Sequence, residues 1–90
     1  MSRDELERVS ELLRDASAAA DDDEARERLY DQSDQFADLA TADRGPDHGR
    51  LARHERILDE IGDDENDEVR SAIDEALAEI RSYRETLEGV

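Results

Sequence analysis

The sequence predicts an all-α fold: an antiparallel four-helix bundle made of two helical hairpins, with the third helix shortest. Three observations carry this expectation. Apolar residues recur at alternating spacings of three and four along separate stretches of the chain. Short runs rich in Asp, Asn, Gly or Pro separate those stretches, and turns this short favour antiparallel neighbours. The length of 90 residues suits one domain, residues 1–90, with a thin core.

The first helix is expected to end near Ala20. Its stripe is Leu6, Val9, Leu13, Ala16 and Ala20, and Ser2 with Glu5 offers a capping box at its start. Asp21-Asp22-Asp23 ends it and begins the second helix. Asp22 or Asp23 is suited to accept from the free N–H groups of that first turn. The second helix runs to about Ala42 with the stripe Ala25, Leu29, Ser33, Phe36 and Ala40. Asp22–Arg26 and Glu24–Arg28 are spaced as supporting ion pairs along it.

Arg44-Gly45-Pro46-Asp47-His48-Gly49 is the clearest break, holding the single proline and two of the four glycines. Asp47 is the expected N-cap of the third helix, which reaches Ile61 with Leu51, His54, Ile57, Leu58 and Ile61 on its apolar face. Gly62 is placed as its stop. Asn66 is the expected cap of the fourth helix, whose stripe of Val69, Ile73, Ala76, Ile80, Tyr83 and Leu87 is the cleanest in the chain, with Gly89 as its stop. Leu6, Val9, Leu12, Leu13 and Ala16 share their spacing with Leu51, His54, Ile57, Leu58 and Ile61, which suggests two related hairpins.

The chain has 28 acids against 12 bases, a net charge of −16, and all its bases are arginine. Such acidity fits disorder, a nucleic-acid mimic or a surface adapted to molar salt. Helical periodicity opposes the first. The absence of lysine favours the last, because exposed lysine stems add apolar surface. In molar salt the Debye length falls to about 3 Å, so crowded carboxylates cease to repel over distance. No apolar signal region and no run of spanning length occurs, so the expected location is cytoplasmic, with no membrane partner. Cysteine is absent, which excludes disulfides, thiol nucleophiles and Cys-ligated zinc.

One segment departs from this pattern. Residues 44–56 contain Arg44, Arg50, Arg53, Arg56, His48 and His54 against only Asp47 and Glu55, a formal charge of +2, while the remainder carries 8 bases and 26 acids, or −18. Arg44, Asp47, His48, Arg50, Arg53 and Arg56 are therefore the candidate interaction or anion surface. A loop shaped by Gly45, Pro46 and Gly49 at a helix start, gripped by Arg44 and Arg50, has the chemistry of an anion site. The structural alternative is internal pairing, such as Arg56 with Glu60. Asp43, Asp47, His48 and His54 have metal-ligand chemistry but no established ligand spacing. His54 falls within an apolar face, which points to a partly buried imidazole hydrogen-bonded to a backbone or carboxylate group. No Glu-x-x-His, nucleophile elbow or phosphate-loop pattern occurs, so neither catalysis nor a cofactor is expected. The net charge argues against direct nucleic-acid binding.

The run from Leu39 to His54, with Arg44-Gly45-Pro46-Asp47-His48-Gly49 at its centre, resembles a family of short acidic haloarchaeal helical proteins of unknown function. The ending from Tyr83 to Val90 is similar as well. The resemblance implies a helical fold in a salt-rich cytoplasm and brings no activity, cofactor or site. The function expected from the residues is a non-enzymatic interaction module, using the 44–56 surface on an unidentified protein partner or in self-association. A small anion- or metal-binding protein using the same segment is the alternative, and an acidic nucleic-acid mimic a third.

Overall fold

The computed structural model describes residues 3–87. They form four helices: α1 (Asp4–Ala19), α2 (Asp23–Thr41), α3 (His48–Asp63) and α4 (Asp67–Arg84). α1 packs closely on α2 and on α4, α3 packs on α4, and α2 meets α3 least. Neighbours run antiparallel. Ser10 and Ser17 of α1 bond the carbonyls of Ser33 and Arg26 on α2, both at 2.8 Å. Arg8 near the start of α1 reaches Glu79 toward the end of α4 at 3.5 Å.

The apolar stripes supply the core. Leu6, Val9, Leu13, Ala16 and Ala20 are buried on the first segment, and Val69, Ile73, Ala76, Ile80 and Tyr83 on the last. In α2, Leu29, Ser33 and Phe36 are buried while Ala25 and Ala40 are half-buried. The serines Ser10, Ser17 and Ser33 let α1 and α2 approach closely, each satisfying its hydroxyl on a carbonyl.

Three helix starts follow the sequence. Asp22 accepts from the Ala25 N–H at 3.0 Å, Asp47 from Arg50 at 2.8 Å and Asn66 from Val69 at 2.9 Å. Because Asp22 serves as a cap, Arg26 pairs with Asp23 rather than Asp22, and no Glu24–Arg28 pair forms among the described residues. The first helix differs: Arg3 is its N-cap position and no side chain caps it. Ser2 of the expected capping box and Gly89 of the expected stop lie outside the described residues.

Gly62 does not end α3. The helix continues through it to Asp63, so α3 equals α1 at 16 residues. Gly62 is buried beneath Arg70, whose Nη1 would lie 2.7 Å from an added Cβ. That guanidinium bonds Asp59 at 2.9 Å, Asp63 at 3.2 Å and Asp74 at 2.6 Å. Glycine here makes room for an arginine clasp across the α3–α4 turn.

The turns at one end of the bundle are joined. The Glu65 carboxylate accepts from the Asp21 and Asp22 N–H groups at 3.2 and 2.9 Å, and Asn66 Nδ2 donates to the Ala19 carbonyl at 3.1 Å. The Asp22 N–H chiefly, with those of Asp21 and Asn66 and the charge of Arg26, holds the Glu65 carboxyl below the usual carboxylate range against a smaller, opposite effect of burial. At the other end Arg3 donates to the carbonyls of Leu39 and Ala42, satisfying the last turn of α2 from a distant part of the chain. No helix of the described residues is long and apolar enough to cross a membrane.

Candidate functional site

The 44–56 segment forms the α2–α3 loop and the first half of α3. The loop is anchored from below. Pro46 is buried, and a Cβ at Gly45 would stand 2.8 Å from the Tyr83 hydroxyl and 3.1 Å from Arg3 Nε. A larger residue here would have to displace the Tyr83 hydroxyl or the Arg3 guanidinium. Asp47 then starts α3 and spends its carboxylate on the Arg50 N–H.

The six candidate residues fall in three places. Arg44 stands exposed on the loop. Asp47, Arg50 and Arg53 line an open groove of about 550 Å³ between α2 and α3, together with Gln32, Gln35, Gly49, His54 and Ile57. His48 and Arg56 lie toward α4. His48 Nδ1 accepts from Arg84 Nε at 3.1 Å, and Arg56 borders a shallow recess with Glu55, Asp59 and Arg81. The loop site imagined for Arg44 and Arg50 is therefore not assembled: its N-terminal donor faces the Asp47 carboxylate instead.

The pairing of arginines is uneven. Arg8, Arg14, Arg26, Arg70, Arg81 and Arg84 each pair with a carboxylate. Glu55, the second acid of the segment, is taken by Arg84 at 2.7 Å and Arg81 at 3.6 Å. Among the described residues Arg44, Arg50, Arg53 and Arg56 have no side-chain hydrogen bond and no ion pair, and all four are exposed. The expected Arg56–Glu60 pair does not form. Arg28 is also unpaired there. It lies on α2 one turn before Gln32 and is not part of the groove lining.

His54 is the buried polar centre of this side, 5 % exposed. Its Nδ1 lies 2.7 Å from Gln32 Oε1, and its ring meets Phe36 edge-on with centroids 4.9 Å apart. Amide oxygen only accepts, so Nδ1 carries the hydrogen and donates. Burial first, then the charges of Arg50 and Arg53, hold its pKa below the ordinary 6.5. The sign follows from proton linkage. As pH falls below about 6.5 the unfolded chain takes up this proton before the folded one, so the contribution is complete above that value and declines toward the lower folded pKa. The melting temperature should therefore be level from pH 7 to 8 and decline as pH falls below about 6.5. His54→Gln should flatten that limb, and an unchanged limb in the variant would assign it to another group. Burial leads the shift, so the limb should persist in molar salt.

The metal-ligand candidates are kept apart. Asp47 is a cap, His48 meets Arg84 and His54 meets Gln32. Among the described residues no three carboxylate or imidazole side chains converge as a ligand set. Sequence reasoning missed Gln32, whose burial had no apolar pattern to announce it, and Arg84, whose register beside Glu55 depends on the α3–α4 packing.

A family model described as "Family of unknown function (DUF7553)" matches residues 1–86. No curated protein matches the chain, and no solved structure matches it.

Proposed function

The chain belongs to this family of unknown function, and from that premise we propose that it is a non-enzymatic protein-interaction module whose contact surface is the arginine-rich face of the α2–α3 loop and α3. The partner is a protein presenting carboxylates. One observation carries the reading: among the described residues all four arginines of the 44–56 segment stay unpaired and exposed, in a chain with 28 acids. Arginines serving only the fold would have carboxylates in ample supply: outside the segment six of eight pair with one, Arg3 bonds carbonyls, and Arg28 alone among the described residues has neither. Arg44, Arg53 and Arg56 point to different sides of the loop and helix, which suits a broad contact. Arginine is enriched at such contacts because its planar fork holds a carboxylate bidentately.

The remaining acidity is read as adaptation to a salt-rich cytoplasm, supported by the absence of lysine. Direct pairing at contact distance survives where the Debye length is short, so an arginine surface remains useful there.

A decaglutamate peptide is a suitable probe. Titrated into the protein at high salt, it should shift the backbone amides of residues 44–56 saturably. Arg44→Ala with Arg56→Ala should weaken this binding roughly fivefold or more, at up to about 1 kcal/mol per exposed pair. Their melting temperature should stay within a few degrees, since neither residue holds the fold. Absence of saturable binding, or binding indifferent to both changes, would overturn the reading.

A further inference from the structure

We propose that the groove between α2 and α3 is a binding site for hydrogen phosphate, held by Arg50, Arg53 and the inward ring nitrogen of His54. The site deepens the arginine face proposed above with a second, smaller ligand, and it shares Arg50 and Arg53 with that face.

His54 supplies the decisive geometry. The residue is 5 % exposed, and Nδ1 is committed to Gln32 at 2.7 Å. Nε2 has no hydrogen-bond partner among the described residues, yet no fully buried side-chain nitrogen or oxygen is left unpaired there. Nε2 therefore reaches open space, and the opening that His54 lines is the α2–α3 groove. Its tautomer is fixed by Gln32, so Nε2 presents a lone pair.

The groove thus asks two things of a ligand. Arg50 and Arg53, unpaired and exposed on the wall formed by α3, need anionic oxygens. Nε2 needs a donated hydrogen. Hydrogen phosphate offers both: charged oxygens to the guanidinium groups and its P–OH to Nε2. Chloride and sulfate carry no hydrogen near neutral pH. Asp47, the one carboxylate on the lining, further disfavours a ligand that has lost its last proton. Gln32 and Phe36 are the groups from α2 that meet the ring and neither titrates, so Arg50, Arg53 and Asp47 are the charges that bear on it.

The test is thermal melting at constant ionic strength, slightly above neutral pH, with millimolar phosphate or sulfate replacing chloride. Phosphate should raise the melting temperature in proportion to the logarithm of its concentration once bound. Sulfate, the stronger general stabiliser or its equal through exclusion from the surface, should do less. Arg50→Ala with Arg53→Ala should abolish the phosphate increment; both side chains are exposed and unpaired, so this variant keeps its fold. His54→Phe should lose the increment too, read as the difference with and without phosphate so that any change in basal stability cancels. Phosphoserine should act only below about pH 6, where its ester still holds a hydrogen, which separates free phosphate from a phosphorylated side chain. No phosphate increment, an equal sulfate increment, or an increment indifferent to Arg50 and Arg53 would overturn the site. Arg44→Ala with Arg56→Ala lies outside the groove and should keep the phosphate response while weakening decaglutamate binding, so each proposal can fail alone.

Discussion

Ile73→Asp should unfold most of the protein at 25 °C, while Glu75→Gln should leave its melting nearly unchanged. Ile73 is fully buried in α4 against the central core. Aspartate there loses apolar burial, about 2–3 kcal/mol, and strands a carboxylate away from water, about 3–5 kcal/mol, a sum of about 5 kcal/mol or more. A core of this size stabilises a domain by only about 5 kcal/mol at the low end of the usual range. Glu75 is exposed two residues away, and surface changes of that kind stay within about 0.5 kcal/mol. Far-UV circular dichroism and thermal melting of both variants in molar salt are the measurement. A folded Ile73→Asp protein, or equal losses in the two variants, would mean that α4 turns a different face inward.

Diluting salt from molar to about 10 mM should lower the melting temperature by about 10 °C or more, equivalent to roughly 2 kcal/mol in a domain of this length. The fold itself sharpens the expectation. It joins the turn of Asp21, Asp22 and Asp23 to the turn of Asp63, Asp64 and Glu65 through the Glu65 carboxylate. At 10 mM salt charges interact over about 30 Å, and the molecule measures 38 × 22 × 16 Å. Nearly every carboxylate then feels every other, and the net charge of −16 acts on the whole bundle. At molar salt the range is about 3 Å and only bonded pairs matter. Melting curves that coincide across the series would show that folding is independent of screening.

The fold was legible wherever burial follows spacing. The stripes of α1 and α4 are buried as the sequence indicates, because an apolar side chain needs only a face to hide in. Asp22, Asp47 and Asn66 were legible as caps because capping is local. What depends on a distant partner was not. Nothing near Arg3 indicates that it satisfies the end of α2, 36 residues or more away. Gly62 has the spacing of a helix stop, but its small size serves Arg70 instead. Ser10, Ser17 and Gln32 break their apolar patterns and are buried because each finds an acceptor or donor across an interface. For the candidate site, charge counting located the segment, and apolar spacing along the third helix placed His54 inward. It could not say that the arginines go unpaired, since that depends on Glu55 being claimed by α4.

The bonds from Glu65 and Asn66 to the Ala19–Asp22 turn have a dynamic consequence. They clamp one end of the bundle, while α2 and α3 touch least along their length. Partial opening of such a structure begins where the fewest apolar contacts must be broken. The two hairpins would swing about the clamped turns like the leaves of a book, parting between α2 and α3 while α1 and α4 stay bound as the spine. Gln32 and His54 sit on facing leaves, joined by one hydrogen bond. That bond is then a latch, and whatever engages the free nitrogen of His54 also reports on whether the book is shut.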